Sequence, residues 1–247
     1  MLIDYLDLRT ARWLMARDKE LYAFPPYYYI HEMYDFRHPA DSGNDSLVIK
    51  ATAKETYGYD EKDVDTVVSY ETDGNYLAGR FDKKAIAASS SAGAGLESFT
   101  DKVIYRAMSA PKGETLADDP SYVAVADCLG SVFTANFDRK YPRNSRALLA
   151  AVGTRTGSDG KPVSKLCALS GSRRDADELA GMLRALTAKG EPFEGAGVAV
   201  EGQDKPMVMM GWKNKAQPGL RVGQHPLLGY GKWGDARKRP AFTMTDE

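Results

Sequence analysis

The spacing of apolar residues predicts both helices and strands in the N-terminal half of the chain. Between residues 2 and 21, apolar side chains that include Trp13 recur at steps of three and four, which predicts one amphipathic helix. The β-branched run at 64–70 predicts a strand, and residues 47–53 favour another. Small residues at 85–95 predict a flexible linker.

Two further helices are predicted in the middle of the chain. Ser98 and Asp101 have the S-x-x-D spacing of a helix start, and apolar residues follow at helical spacing as far as Ala107. Pro120 suits the first turn of a helix, and the apolar spacing that follows predicts a helix over residues 121–135.

The C-terminal half has the order strand, strand, helix, strand, strand. Its strands are predicted at residues 146–154, 162–169, 198–200 and 207–210. Ser172 is the predicted cap of a helix that runs to about residue 188. This order predicts a small antiparallel sheet with one helix packed on it.

The predicted fold class is therefore α+β, with a helical or mixed N-terminal part and the small antiparallel sheet in the C-terminal half. Composition divides the chain into four predicted regions. They are an acidic, tyrosine-rich region at 1–84, the linker at 85–95, a helical region at 96–137, and a basic α+β region with a glycine-rich tail at 138–247.

Composition is that of a globular protein. The 247 residues are 43% hydrophobic and 27% charged, and no apolar run approaches the roughly 20 residues that a membrane-spanning helix needs. The N-terminus is acidic from Asp4 onward and lacks the charged-then-apolar layout of a signal peptide. We therefore expect a cytoplasmic location and no membrane contact.

The two cysteines, Cys128 and Cys167, are predicted to be buried or inert thiols. No C-x-x-C pair is present, and structural zinc sites usually contain one. The sequence therefore predicts neither a metal nor a cofactor.

The net charge of −1 conceals an asymmetry along the chain. Residues 1–79 contain 15 acids and 8 bases, whereas residues 138–189 contain 11 bases and 5 acids. Residues 205–240 contain eight bases and one acid. Either solvated faces differ in sign, or one face meets an anion or an acidic partner.

The segment at 205–240 combines cations, aromatic rings and glycines, which is the composition of a surface that binds a nucleic-acid backbone and stacks on bases. The predicted contacts here are Trp212, Lys213, Lys215, Arg221, His225, Tyr230, Lys232, Trp233, Arg237, Lys238 and Arg239. Trp212, Tyr230 or Trp233 is expected to stack on a base or to wedge into a duplex.

A second basic region surrounds Tyr141 in a predicted loop. Its candidate contacts are Arg139, Lys140, Arg143, Asn144 and Arg146, and a solubilising loop is the alternative. Arg173 and Arg174 lie in the first turn of a predicted helix, where cations oppose the helix dipole, and this suggests an external anion.

The segment at 25–39 contains five tyrosine and phenylalanine rings. These rings either fill a core or form a contact surface for other protein subunits, because tyrosine is common in interface hot spots. The acidic, tyrosine-rich region is therefore a candidate docking surface.

Catalytic motifs are absent from the sequence. Its three histidines are His31, His38 and His225, and no serine or cysteine lies in a nucleophile motif. The sequence predicts a protein that is not an enzyme. A site assembled from scattered carboxylates with His31 or His38 remains a third hypothesis.

Two short segments resemble proteins of CRISPR systems. Residues 219–233, GLRVGQHPLLGYGKW, resemble the glycine-rich loop of the RAMP proteins, which are ferredoxin-like RNA-binding subunits. Residues 97–101, ESFTD, precede VADCLGSVF at 125–133. This arrangement resembles the large-subunit protein of type IV effector complexes, in which an S-F-T-D segment lies between two C-x-x-C pairs of a zinc finger.

Only Cys128 matches that zinc finger, so the resemblance implies that the zinc has been lost. It also implies binding of the 5′ end of a guide RNA and reading of a short motif in a target duplex.

The predicted function is a non-catalytic nucleic-acid-binding subunit of a ribonucleoprotein complex of this type. The contacted nucleic acid, RNA or single-stranded or duplex DNA, is left open. The alternative is a structural or assembly protein, of a virion or another multi-subunit complex, with charge-complementary interfaces.

Overall fold

A computed structural model describes residues 2–18, 58–70, 74–89, 98–107, 116–139, 146–188, 193 and 195–213. Every structural statement below concerns these residues. The strand predicted at 47–53, the tyrosine-rich segment at 25–39 and most of the basic C-terminal stretch lie outside them.

One antiparallel sheet of ten strands forms the framework of the molecule. In spatial order the strands run β4-β5-β3-β2-β1-β6-β7-β8-β10-β9. The strands are β1 (Leu2–Asp7), β2 (Val64–Tyr70), β3 (Gly74–Gly79), β4 (Ser98–Phe99), β5 (Val103–Ala107), β6 (Thr134–Asp138), β7 (Leu149–Thr156), β8 (Pro162–Leu169), β9 (Gly197–Glu201) and β10 (Met207–Lys213).

The described residues also form four α-helices. These are α1 (Leu8–Arg17), α2 (Lys83–Ala88), α3 (Pro120–Leu129) and α4 (Arg173–Thr187). Two short 3₁₀ turns, Glu61–Asp63 and Leu116–Asp118, precede β2 and α3.

One face of the sheet packs against α1 and α4. A row of side chains opposite one another crosses this face from β1 to β10: Leu6, Thr134, Thr154, Ser164 and Trp212. Leu6 belongs to the apolar core under α1, and Trp212 belongs to the core under α4. The two cores therefore lie side by side on the same face.

The other face packs against α3. Its row across five strands consists of Ile3, Phe137, Ala151, Cys167 and Met209. All five belong to or pack against the core that α3 covers. Strands β7 and β8 carry apolar side chains on both faces of the sheet, so both strands are largely buried.

The predictions for the C-terminal half are confirmed for every element. Strands β7, β8, β9 and β10 and helix α4 lie within three residues of their predicted limits. Ser172 caps α4 as predicted, because its hydroxyl accepts from the Asp175 amide at 3.1 Å and donates to the Asp175 carboxylate. The strand predicted at 64–70 is also confirmed, as β2.

The single helix predicted at 2–21 is wrong in its first part. Residues 2–7 form strand β1, which pairs with β2 on one side and with β6 on the other. Asp7 then caps α1 by accepting from the Thr10 amide at 2.9 Å. The partners of β1 are about 60 and 130 residues away, so tertiary pairing overrides the local helical spacing.

The helix predicted from Ser98 is also wrong. Residues 98–107 form the hairpin of β4 and β5. The Thr100 hydroxyl accepts from the amides of Lys102 and Val103, and this turn folds the chain back before a helix can begin. Ile104 is buried under α1 as a strand residue.

The helix predicted at 121–135 ends earlier than predicted. Helix α3 stops at Leu129, where Gly130 takes the positive φ of 70° that suits glycine, and Thr134 already belongs to β6. Together with the hairpin of β4 and β5, this makes the described part of the region at 96–137 a mixture of strand and helix rather than a helical region.

The region predicted as a linker begins inside a helix. Residues 85–88 belong to α2, and Ile86 is fully buried in the core under α1. Residues 90–95 lie outside the described part of the chain. Since β1 joins the N-terminal strands to β6, the sheet is continuous and much larger than the one predicted for the C-terminal half.

The cysteines are paired, which corrects the prediction of two thiols. Cys128 on α3 and Cys167 on β8 form a disulfide with a Cα–Cα distance of 6.1 Å. The Lys165 ammonium donates to the Cys128 carbonyl at 2.6 Å beside it. Cys128, the one cysteine that matches the zinc finger of the type IV proteins, is therefore bonded to Cys167 and is not a free thiol.

Candidate nucleic-acid interface

The basic residues that bear on the predicted interface lie at two opposite ends of the sheet. At one end, called the turn end, the turn at 157–161 joins β7 to β8 and β10 finishes at Lys213. At the other, called the loop end, Arg146 precedes β7 and Arg173 begins α4. An eight-residue strand separates the two ends, which is about 24 Å.

The predicted contacts at the loop end are held by carboxylates of the same chain. The Arg146 and Arg174 Nε atoms donate to the two oxygens of Glu178, at 2.8 and 3.1 Å. Arg173 donates to Asp177 at 3.0 Å. The two pairs within α4 have the i, i+4 spacing that stabilises helices.

These ion pairs remove one argument for an external anion. Arg173 and Arg174 oppose the helix dipole, but Asp177 and Glu178 one turn later compensate their charge. Because Arg146 first, and Arg174 next, donate to Glu178, the pKa of that carboxyl is lowered from its ordinary value. Arg146 therefore serves to join α4 to the start of β7.

Arg139 has a similar structural role. Its guanidinium donates to Asp119 at 2.7 Å and lies 5.1 Å from the centroid of the Tyr122 ring. Asp119 is the cap of α3, and the pKa of its carboxyl is lowered by the Ser121 amide and then by Arg139. Arg139 thus fixes the start of α3 against the end of β6.

Trp212 is in the core, so its predicted role in base stacking is wrong. The residue is 5% exposed, and its ring packs edge-on against Phe193 with centroids 5.3 Å apart. The next residue, Lys213, is exposed and lies 3.3 Å from the Asp159 carboxylate. The alternation along β10 explains this contrast, because successive side chains point to opposite faces.

The turn end presents four exposed cations, called the turn-end cluster: Arg17, Arg155, Lys161 and Lys213. Arg155 and Lys213 both lie opposite Val163, on either side of it, so their backbones are about 10 Å apart. Lys161 occupies the turn itself, and no sequence pattern singles out either Lys161 or Arg155.

Arg17 reaches this cluster from α1. Its terminal nitrogen lies 4.0 Å from the point where a Cβ on Gly160 would stand. Asp159 in the turn and Asp18 beside Arg17 are the neighbouring acids, so cations outnumber acids here. The Lys161 amide, and then Lys213, lower the pKa of the Asp159 carboxyl and keep it ionised.

An exposed aromatic ring lies beside the turn-end cluster. Trp13 is 59% exposed, and the Arg17 guanidinium lies 5.5 Å from the centroid of its ring. The helical spacing at 2–21 had placed Trp13 on the buried side. In the folded helix that side is formed by Leu8, Ala11 and Leu14 instead.

The remaining predicted contacts lie outside the described residues. They are Lys140, Arg143 and Asn144 in the loop, and Lys215, Arg221, His225, Tyr230, Lys232, Trp233, Arg237, Lys238 and Arg239 in the C-terminal stretch. That stretch follows Lys213 directly along the chain, so it starts at the turn end.

A titration tests the arrangement at the loop end. Replacing Arg146 with glutamine is expected to raise the pKa of Glu178 towards its ordinary value, and to raise it more than the change Arg174→Gln does. Carboxyl NMR measured against pH gives both shifts. The pKa of Asp159, at the opposite end, serves as the control and should stay unchanged; equal effects of the two variants contradict the arrangement.

Neither a metal site nor a membrane span is found in the described part of the chain. No group of three or more His, Cys, Asp or Glu side chains there is placed to hold a metal ion. None of the helices there is long and apolar enough to cross a membrane. Comparison of the whole chain with models of protein families, with curated proteins and with solved structures found no match.

Proposed function

We propose that this chain is a non-catalytic nucleic-acid-binding protein that holds the phosphate backbone at the turn end of its sheet. The observation that carries the proposal is the turn-end cluster, in which four exposed cations from α1, β7, the β7–β8 turn and β10 lie at one end of the sheet, Arg155 and Lys213 on the face that α3 covers. Exposed arginine and lysine side chains that outnumber nearby acids attract phosphates and release their counterions.

The sequence that follows the cluster supports the same function. Lys213 leads directly into the stretch at 214–240, whose basic and aromatic composition is that of a nucleic-acid-binding segment. The proposed interface thus differs from the one expected from the sequence. Arg139, Arg146, Arg173 and Arg174 are assigned to ion pairs within the fold, and the turn end takes over the phosphate contacts.

The finer proposal is a subunit of a ribonucleoprotein complex of the type IV CRISPR kind, which contacts guide RNA or target DNA. This proposal rests on the two sequence resemblances alone. In it, the acidic, tyrosine-rich N-terminal region docks on neighbouring protein subunits.

Replacing Arg155 and Lys161 together with alanine tests the proposed interface. Each phosphate contact to a single strand contributes about 0.7 to the slope of log affinity against log salt, so the double variant should lose about 1.4. At about 0.1 M salt its affinity should fall about tenfold. Fluorescence anisotropy of a labelled oligonucleotide, measured over a salt series, gives both quantities.

The matched control is the double change of Lys83 and Lys84 to alanine. These two lysines are also exposed but belong to the start of α2, which follows β3, four strands away from β7 across the sheet. Equal losses in the two double variants contradict the assigned interface. If the wild-type chain binds no nucleic acid and instead self-associates in a salt-dependent way, the assembly hypothesis replaces this one.

A further inference from the structure

Trp13 is the most exposed of the large apolar side chains in the described part of the chain. At 59% it exceeds Leu148, the next, at 54%. A single exposed apolar residue is ordinary on a protein surface, but an indole presents a far larger flat face than a leucine. The exposed indole therefore offers a flat apolar face to a ligand.

The ring is carried on a rigid support. Leu8, Ala11 and Leu14 bury the opposite side of α1, and Asp7 caps its first turn. In addition, Arg12 donates to the Val64 carbonyl at 2.9 Å, which ties the helix to β2. Because α1 is fixed on the sheet, a ligand that meets Trp13 does not have to order the segment that carries it.

Arg17 connects the ring to the turn-end cluster. Its guanidinium lies 5.5 Å from the indole centroid, and one of its terminal nitrogens approaches Gly160 in the β7–β8 turn. A flat ring therefore stands next to a group of cations, with an arginine between them. This is the pairing of a stacking platform with a backbone-binding groove that single-strand-binding proteins use.

We propose that Trp13, assisted by Arg17, is a base-stacking site that makes this chain prefer single-stranded nucleic acid. The inference rests on the proposed function, since the turn-end cluster supplies the phosphate contacts. An unpaired base has an open face for the indole, whereas the bases of a duplex cover one another. Arg17 either extends the platform or contacts the adjacent phosphate.

The test uses the full chain with Trp13 changed to alanine or to phenylalanine. Single-strand affinity is expected to fall about 5- to 100-fold in Trp13→Ala, while duplex affinity stays within about twofold of wild type. Trp13→Phe keeps an aromatic face and should retain most of the single-strand affinity. A short labelled RNA, the same sequence as DNA, and their duplexes are the probes for anisotropy.

Leu148→Ala is the matched control, because Leu148 is an exposed apolar residue at the loop end of the sheet. It should leave binding unchanged. The urea midpoint of Trp13→Ala should match that of wild type, since the ring is mainly in solvent. Quenching of tryptophan fluorescence by the oligonucleotide should fall in Trp13→Phe to the part that Trp233 contributes, because Trp212 is buried in the core.

The outcomes separate this inference from the function on which it rests. If wild type binds single strands but Trp13→Ala binds them equally well, the stacking site is refuted and the phosphate interface stands. If single strands and duplexes lose affinity together, Trp13 supports the interface without stacking, which also refutes the inference. If wild type binds no nucleic acid at all, the proposed function fails first.

Discussion

Opening the disulfide between Cys128 and Cys167 should lower the free energy of unfolding by about 4 kcal/mol. The bond closes a loop of 39 residues, and the entropy that such a loop removes from the unfolded chain corresponds to that value. The bond also holds α3 on β8, where Cys167 is completely buried.

The measurement is urea unfolding of wild type with and without a reductant, compared with the double variant Cys128→Ala, Cys167→Ala. Wild type should lose stability on reduction, whereas the double variant should be less stable and insensitive to the reductant. Two titratable thiols in unreduced, denatured wild type would contradict the pairing. Disulfides persist mainly in oxidising compartments, so this bond counts against the cytoplasmic location expected from the sequence.

The second large effect is expected from Gly58→Ala, which should cost about 3 kcal/mol. Gly58 has a φ of +76°, and a Cβ there would run into the backbone of Ile86 at the centre of α2. Because Ile86 is fully buried, α2 cannot shift without opening the core under α1. The result therefore tests whether α2 belongs to the core or to a linker.

Two other glycines provide controls for this variant. Gly130 has a similar φ of +70° but nothing within 4 Å of its would-be Cβ, so Gly130→Ala should cost about 1 to 2 kcal/mol, from backbone strain alone. Gly181 lies on α4 with nothing nearby, and Gly181→Ala should add up to about 1 kcal/mol. If Gly58→Ala and Gly130→Ala lose the same free energy of unfolding, α2 can shift to make room for the added methyl group without opening the core.

The C-terminal half could be predicted from sequence because its signals are local. The glycine turn between β7 and β8, the capping serine of α4 and the alternation in β10 each act over a few residues. These elements also follow one another along the chain, as strand partners most often do. Local propensity and tertiary pairing therefore agree there.

In the N-terminal half, β2 was predicted from its β-branched run, but β1 was not, because distant partners decide it. Residues 2–7 have helical spacing but lie between β2 and β6, where pairing on both sides imposes a strand. The disulfide was missed for a similar reason, because the sequence does not show whether two cysteines 39 residues apart meet in the fold.

The same contrast between local and distant interactions explains which parts of the candidate interface could be predicted. The sequence indicated where cations are concentrated but not what they pair with, and five of the predicted contacts, Lys213 among them, pair with nearby carboxylates. Trp212 was expected to be exposed and Trp13 to be buried, but the reverse holds. The alternation along β10 buries Trp212, and Trp13 lies on the outward face of α1. The i, i+4 spacing of Trp13 and Arg17 was the feature of the sequence that could have indicated this exposed site.

The central claim is that the chain binds the nucleic-acid backbone, and the most direct test is wild-type binding to one labelled single strand over a series of salt concentrations. We expect affinity at low salt that falls linearly on a log–log plot, with a slope of roughly −2 or steeper, given several phosphate contacts at about 0.7 each. No binding at the lowest salt, or an affinity that does not change with salt, would contradict the account.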